Sequence, residues 1–200
     1  MIKKARTDHP VQEEIASRWS PYGFSAQPVS SEELCSLFEA ARWAASSYNE
    51  QPWSYLVAVR DDKDEYEKAL SCLSEANRQW ASTAPVLGFA VAHLRFNRNG
   101  RPNRVALHDV GMASANLCLE AAARRIFIHQ MAGILPERVR EIYRVPPDHE
   151  VVSGLAIGYA AGPEQLADPY KQRDLAPRSR KPLSQFVFGA TWASPCDWVR

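Results

Sequence analysis

EAARWAASSYNEQPW, residues 39–53, passes from one periodic pattern to another. Its first half completes an apolar stripe of Leu34, Leu37, Phe38, Ala41 and Ala44, spaced as a core-facing helix requires. Ser30 and Glu33 stand in capping-box spacing and mark where that helix starts. The second half, Ser46-Ser47-Tyr48-Asn49-Glu50-Gln51, is a polar loop closed by Pro52 and Trp53. Beyond it, Tyr55 to Val59 (YLVAV) is a continuous apolar run, expected as a strand covered on both faces. Helix, polar loop and strand in direct succession predict helices packed on a sheet. The loop gathers two hydroxyls and two side-chain amides without a strong acid, base or nucleophile, which suits holding a polar planar ligand. Simple capping of backbone groups accounts for the same Ser and Asn residues equally well on local sequence alone.

Working outward, Pro10 to Ser17 reads as a short first helix, with Pro in its first turn and Asp8 as the cap. Pro21 disfavours helical angles at Ser20, so Arg18 and Ser20 are expected in an extended turn with free side chains. Asp61 to Leu73 and Asn77 to Ser82 read as helices, and Pro85 to Leu94 (PVLGFAVAHL) as a buried strand. Asn99-Gly100 and Pro102 signal a turn. Val105 to Ala123 is the longest helix. It carries one row of Val110, Ala113, Leu117 and Ala121 and a second of Met112, Ala115, Leu119 and Ala122. Small or apolar residues over most of the circumference predict packing against a second subunit as well as the chain's own sheet. A short strand at Ile126 to His129, a helix from Pro136 to Tyr143 and a central strand at Val151 to Tyr159 follow. From Gly162 onward periodicity is lost. The last segment, Phe186 to Arg200, is apolar enough to pack on its own or a partner subunit. The whole, residues 1–200, reads as a single α+β domain with one sheet and helices around it.

The balance of 24 basic and 23 acidic residues, net charge +1, provides no bulk attraction for nucleic acid or an anionic membrane. No apolar run is long enough to span a bilayer, and the N-terminal residues lack the apolar core of a secretory signal. Cys35, Cys72, Cys118 and Cys196 form no CxxC pair, in keeping with a reducing cytoplasm. His9, His93, His108, His129 and His149 show no close ligand spacing, so no metal site is expected.

Three polar clusters call for one explanation: Arg18 with Ser20, the loop Ser46 to Gln51, and Arg178 with Arg180. In this order they resemble the nitroreductase family of FMN-dependent flavoproteins. The resemblance is carried by RWSPYGFS (18–25), EAARWAASSYNEQPW (39–53), NRQWASTAPVL (77–87), HDVGMASANLCLEAAA (108–123), HQMAGI (129–134) and PRSRKPLSQFVF (177–188). It implies a nitroreductase-like fold, a central and mostly antiparallel sheet flanked by helices, in an intertwined homodimer with FMN at the subunit interface. It implies further that Arg18, Ser20, Arg178 and Arg180 hold the flavin phosphate, where arginine's fixed fork of donors suits a dianion. Ser46, Ser47, Asn49 and Gln51 match a loop that meets flavin from the other subunit. Met131, Ala132 and Gly133 match a stretch along the isoalloxazine edge, with Gln130 and Asn77 as further contacts.

The reaction this resemblance implies is ping-pong. NAD(P)H stacks on the flavin and delivers hydride to N5, then yields its place to a nitroaromatic, quinone or related electron-poor acceptor. No GxGxxG is present to hold the nicotinamide separately. Tyr48, Glu50 and His129 are acid–base types more simply read as packing or surface residues. A flavin-binding storage or redox-sensing protein with little turnover is the alternative. Three positions depart from the family pattern: Ala45 replaces a proline, Tyr22 an arginine, and Arg125 a glycine. A non-glycine residue at positive φ costs about 1 kcal/mol, so the long helix is expected to end differently here.

Overall fold

The computed structural model describes residues 3–199. Its elements run α1 (Glu13–Ser17), α2 (Ser31–Arg42), β1 (Trp53–Val59), α3 (Lys63–Ser71), α4 (Glu75–Ala81), β2 (Val86–His93), α5 (Ala106–Ala123), β3 (Phe127–Met131), α6 (Pro136–Tyr143), β4 (His149–Gly158) and α7 (Tyr170–Leu175). The four strands form one antiparallel sheet in the order β1-β2-β4-β3. This is the α+β arrangement the sequence predicts.

One face of the sheet carries α2 and α5, with Leu37, Leu117, Ile126 and Leu155 fully buried between them and the strands. The other face carries α3, α4 and α6 around Phe89, Trp80 and Val139. β2 lies between the two layers and is buried along nearly its whole length, which explains its unbroken apolar sequence. β1 differs from expectation. It is an edge strand with a neighbour on one side only, and Val57 and Val59 are exposed although the run YLVAV contains no polar residue.

Local chemistry explains the helix ends. Ser30 accepts from the Glu33 N–H while the Glu33 carboxylate accepts from the Ser30 N–H, so α2 opens on a complete capping box. α1 starts later than predicted. Residues 10–12 are not helical, Asp8 does not cap it, and Gln12, in extended conformation, is its uncapped N-cap. Ala5 N–H donates to Ala16 O at 2.8 Å, so the N-terminal stretch lies along α1 rather than winding into it. The end of α5 also departs from expectation. Arg125 adopts φ 60 and the helix closes as glycine would close it: Ile126 N–H reaches Ala121 O and Arg125 N–H reaches Ala122 O. The Schellman bonds and the buried Ile126 behind them hold arginine in the left-handed region.

Two further differences lie in the C-terminal part. α7 was not foreseen. It is short, and Tyr170 fixes it by donating to Ala76 O at 2.7 Å. The last segment folds back on itself, with Phe188 edge-on to Trp192 at 5.3 Å and bridged to Pro195, and leaves Phe186, Trp192 and Trp198 exposed, Trp192 at 89%. Met1, Ile2 and Arg200 lie outside the described residues.

Candidate functional site

α1 ends at Ser17, and Arg18 leaves it with φ −61 and ψ 124. This extended residue turns its guanidinium toward Ser20, with Nη1 3.3 Å from Oγ. The segment after α7 returns to the same place. Arg178, half-buried, donates through Nη1 to Lys3 O and to Ala16 O, both at 2.7 Å. These bonds tie the C-terminal segment to the N-terminal one and set Arg178 beside Arg18. The result is a cavity of 330 Å³ lined by Arg18, Ser20, Arg178 and Arg180 with Lys3 and Arg173. Its wall holds one carboxylate, Asp174, which receives the Tyr22 N–H at 3.0 Å.

Electrostatics mark this cavity as a place for an anion. Burial, then the charges of Arg18 and Arg180, push the Arg178 pKa below its usual value. Burial also raises the pKa of Asp174, against the Tyr22 N–H bond and the nearby Lys3 charge. Cations gathered this closely repel one another, and a bound anion relieves that repulsion. All four residues expected at a phosphate therefore meet. Lys3 and Arg173 join them, and nothing in the local sequence around Lys3 signals that it would.

The loop of residues 46–51 is built differently. Tyr48, Asn49 and Gln51 have φ of 55, 56 and 53, three non-glycine residues in the left-handed region within four positions. Each such residue costs about 1 kcal/mol or more, so surrounding bonds must hold the shape. Ser47 N–H donates to buried Asp109 in the first turns of α5 at 3.0 Å. Gln51 N–H donates to Ser46 Oγ at 3.0 Å, and Gln51 Nε2 to Asn49 O at 3.1 Å. Outside the loop, Arg98 lies over the Tyr48 ring and Glu50 accepts the Asn97 N–H. Asp109 is a residue that sequence reading missed; an acid in the first turns of a helix reads as ordinary dipole compensation. Neither the cavity described above nor a second one of 260 Å³, lined by Arg6, Ile15 and Arg18 with the same Arg178 and Arg180, includes a residue of this loop.

The third stretch follows β3. Met131 is buried and pairs with Gly154, so its side chain serves the core. The N–H groups of Ala132 and Gly133 have no acceptor among the described residues. Gly133 is required by close approach: a Cβ there would stand 2.4 Å from Asn77 Nδ2 and 2.7 Å from Ser74 Oγ. Asn77 donates to Gly133 O and accepts from Trp80 Nε1, so both ends of its amide are occupied in shaping the turn. Gln130 Nε2 is directed at the Cys118 sulfur, 3.4 Å away.

A family model described as the nitroreductase family matches residues 15–159, most of the chain. The chain belongs to the nitroreductase family. The match takes in Arg18, the loop and the Met131–Gly133 turn, and ends before Arg178 and Arg180. Among relatives of this nitroreductase-family chain, an uncharacterized 15.4 kDa protein of Mycolicibacterium smegmatis is 30% identical over 135 residues, covering 68% of this chain and 90% of that protein. The major NAD(P)H-flavin oxidoreductase of Aliivibrio fischeri is 25% identical over 191 residues, covering 76% and 88%. Among solved structures, an oxidoreductase containing FMN superposes with a TM-score of 0.89 at 30% identity, over 95% of this chain and 96% of that one.

The family departures now have local explanations. In place of an arginine, Tyr22 packs edge-on against Trp80 and His129, at 5.1 and 4.8 Å between ring centroids. His129 completes the three-ring cluster, 4.3 Å from Trp80, and donates through Nδ1 to Pro21 O at 2.9 Å. Burial, more than the nearby Arg18 charge, lowers its pKa, so it is a neutral packing residue at pH 7. Ala45 is exposed, and its N–H has no acceptor among the described residues, so alanine in the proline's place alters no hydrogen bond.

Proposed function

We propose that this protein is an FMN-dependent oxidoreductase that takes electrons from NAD(P)H and passes them to electron-poor acceptors such as nitroaromatics or quinones. The single observation that carries this reading is the convergence of Arg18, Ser20, Arg178 and Arg180 on one cavity, in a chain of the nitroreductase family. Bound FMN supplies the hydride-accepting and hydride-donating chemistry. The chain's own residues position it. The arginines pair with the phosphate through charge-assisted bonds, and Ser20 adds a hydroxyl. The free Ala132 and Gly133 N–H groups suit the polar edge of the ring system, where fixed backbone dipoles stabilise negative charge.

The loop Ser46–Gln51 belongs to the same reading through a homodimer, in which it meets the flavin held by the neighbouring subunit. Two features support this. The loop shares neither arginine-lined cavity of its own chain. The outer face of α5, with Leu107 and Met112, and the C-terminal tryptophans are apolar and exposed, as surfaces awaiting a partner are. In the assembled protein all 200 residues act as one domain, and the cytoplasm is its compartment.

The test is an anaerobic titration of the purified yellow protein with NADH and with NADPH, followed by reoxidation with a panel of acceptors. The reading predicts bleaching of the flavin band by at least one nicotinamide and its return with a nitroaromatic or quinone. Flavin that stays oxidised with both nicotinamides would favour a storage or sensing protein. Protein that remains colourless after addition of FMN would sink both readings.

A further inference from the structure

We propose that His93, Asp148 and His149 form a binding site for a divalent transition-metal ion of the zinc type, separate from the arginine-lined cavity. The three residues come from two places in the chain that sequence spacing does not connect. His93 ends β2 and His149 begins β4, and the two are direct partners in the antiparallel register. Their side chains therefore stand on the same face of the sheet, with rings stacked 4.6 Å apart at 21°. Asp148 reaches both: one carboxylate oxygen lies 3.1 Å from His93 Nε2 and the other 2.8 Å from His149 Nδ1. One ligand atom from each residue falls within 4.8 Å of the other two.

Two imidazole nitrogens and a carboxylate oxygen are a ligand set that zinc and its neighbours in the first transition row favour. Ligand atoms sharing a tetrahedral ion at about 2.0–2.2 Å lie about 3.3 Å from one another; here the His93 nitrogen stands 3.1 Å and the His149 nitrogen 2.8 Å from separate oxygens of the one carboxylate. Backbone bonds hold the ligands in advance: Leu94 N–H donates to Asp148 O at 2.9 Å, and Arg140 Nη2 to His149 O at 2.6 Å. All three side chains are part-exposed, so an ion has a way in and water can complete its coordination. The site also adjoins the exit of the 46–51 loop, since His93 N–H donates to Pro52 O at 2.8 Å. An ion there fastens β2 to β4 where that loop is anchored.

The test uses untagged full-length protein stripped with chelator, then titrated with Co²⁺ by visible absorption and with Zn²⁺ against a chromogenic indicator. One equivalent per chain is expected, with d–d bands and no thiolate charge transfer. Binding should weaken at least tenfold in Asp148→Asn and vanish in the His93→Ala/His149→Ala double variant. Asp148→Asn preserves shape at a part-exposed position and keeps the test valid if the double variant folds poorly. A raised melting temperature with Zn²⁺ in the wild type, absent in Asp148→Asn, is the second readout. Equal binding by wild type and Asp148→Asn, or a thiolate-to-cobalt band placing the ion on a cysteine, would overturn the assignment.

Discussion

The arginine cavity and the loop after α2 are built on opposite principles. The cavity is complete within the chain: Arg18 from the end of α1 and Arg178 from the C-terminal segment are locked together through Lys3 O and Ala16 O. Its cost is electrostatic, borne by cations placed side by side. The loop's cost is conformational, borne by Tyr48, Asn49 and Gln51 in the left-handed region. It is anchored to its own α5 through Asp109 and shares neither arginine cavity. One region thus gathers cations within the chain, whereas the other is shaped in advance without joining that cavity. In the proposed function the first grips the charged end of the ligand and the second meets it from the neighbouring subunit. The first should depend on charge and the second on assembly.

Breaking the assembly should separate the two most sharply. Met112 is exposed on the outer face of α5, where surface substitutions usually change stability by less than about 0.5 kcal/mol. Met112→Glu is therefore expected to leave the fold intact, to shift sedimentation from dimer to monomer and to weaken FMN binding at least tenfold. A variant that remains dimeric would move the interface elsewhere.

Gly133→Ala should have the next largest effect, on stability. The new methyl meets Asn77 and Ser74, and Asn77 cannot withdraw without losing its bonds to Gly133 O and Trp80. Overpacking of this kind costs about 1–3 kcal/mol, read as a lower urea midpoint.

Acid should weaken the cavity's foundation more gently. His129, packed on Tyr22 and Trp80 and within the influence of the Arg18 charge, has a pKa lowered from 6.5 by burial first, so the unfolded chain takes up its proton before the folded one does. Its contribution to stability is present in full above pH 6.5 and is lost as pH falls through the folded value. Urea midpoints measured from neutral to mildly acidic pH should fall in the wild type and fall less steeply in His129→Gln. The smallest effect is expected at the end of α5, where Arg125→Gly removes left-handed strain and should raise stability by up to about 1 kcal/mol in thermal melts.

Sequence patterns reached most of the architecture. The capping box at Ser30 and Glu33, the long helix α5 and the helix opened by Pro136 are local signals, and the structure keeps each nearly where it is read. The edge position of β1 was not legible, because an apolar run reports side chains but not how many neighbours a strand will have. α7 escaped because six residues are too few for a period to show. At the candidate site, Arg18, Ser20, Arg178 and Arg180 were legible as chemistry. Lys3 and Asp109 were not, since each acts through a contact formed only by the fold. The register pairing of His93 with His149 is illegible for the same reason.

The central claim is that the arginine cavity holds the phosphate of FMN. It is tested most directly by titrating apoprotein with FMN and with riboflavin, which lacks the phosphate, in wild type and in Arg178→Ala. A charge-assisted bond contributes about 1.5–3 kcal/mol, so wild type should prefer FMN by well over tenfold. The substitution should collapse most of that preference while leaving riboflavin binding nearly unchanged. Equal affinity of the wild type for FMN and riboflavin, or a preference that survives in Arg178→Ala, would contradict the account.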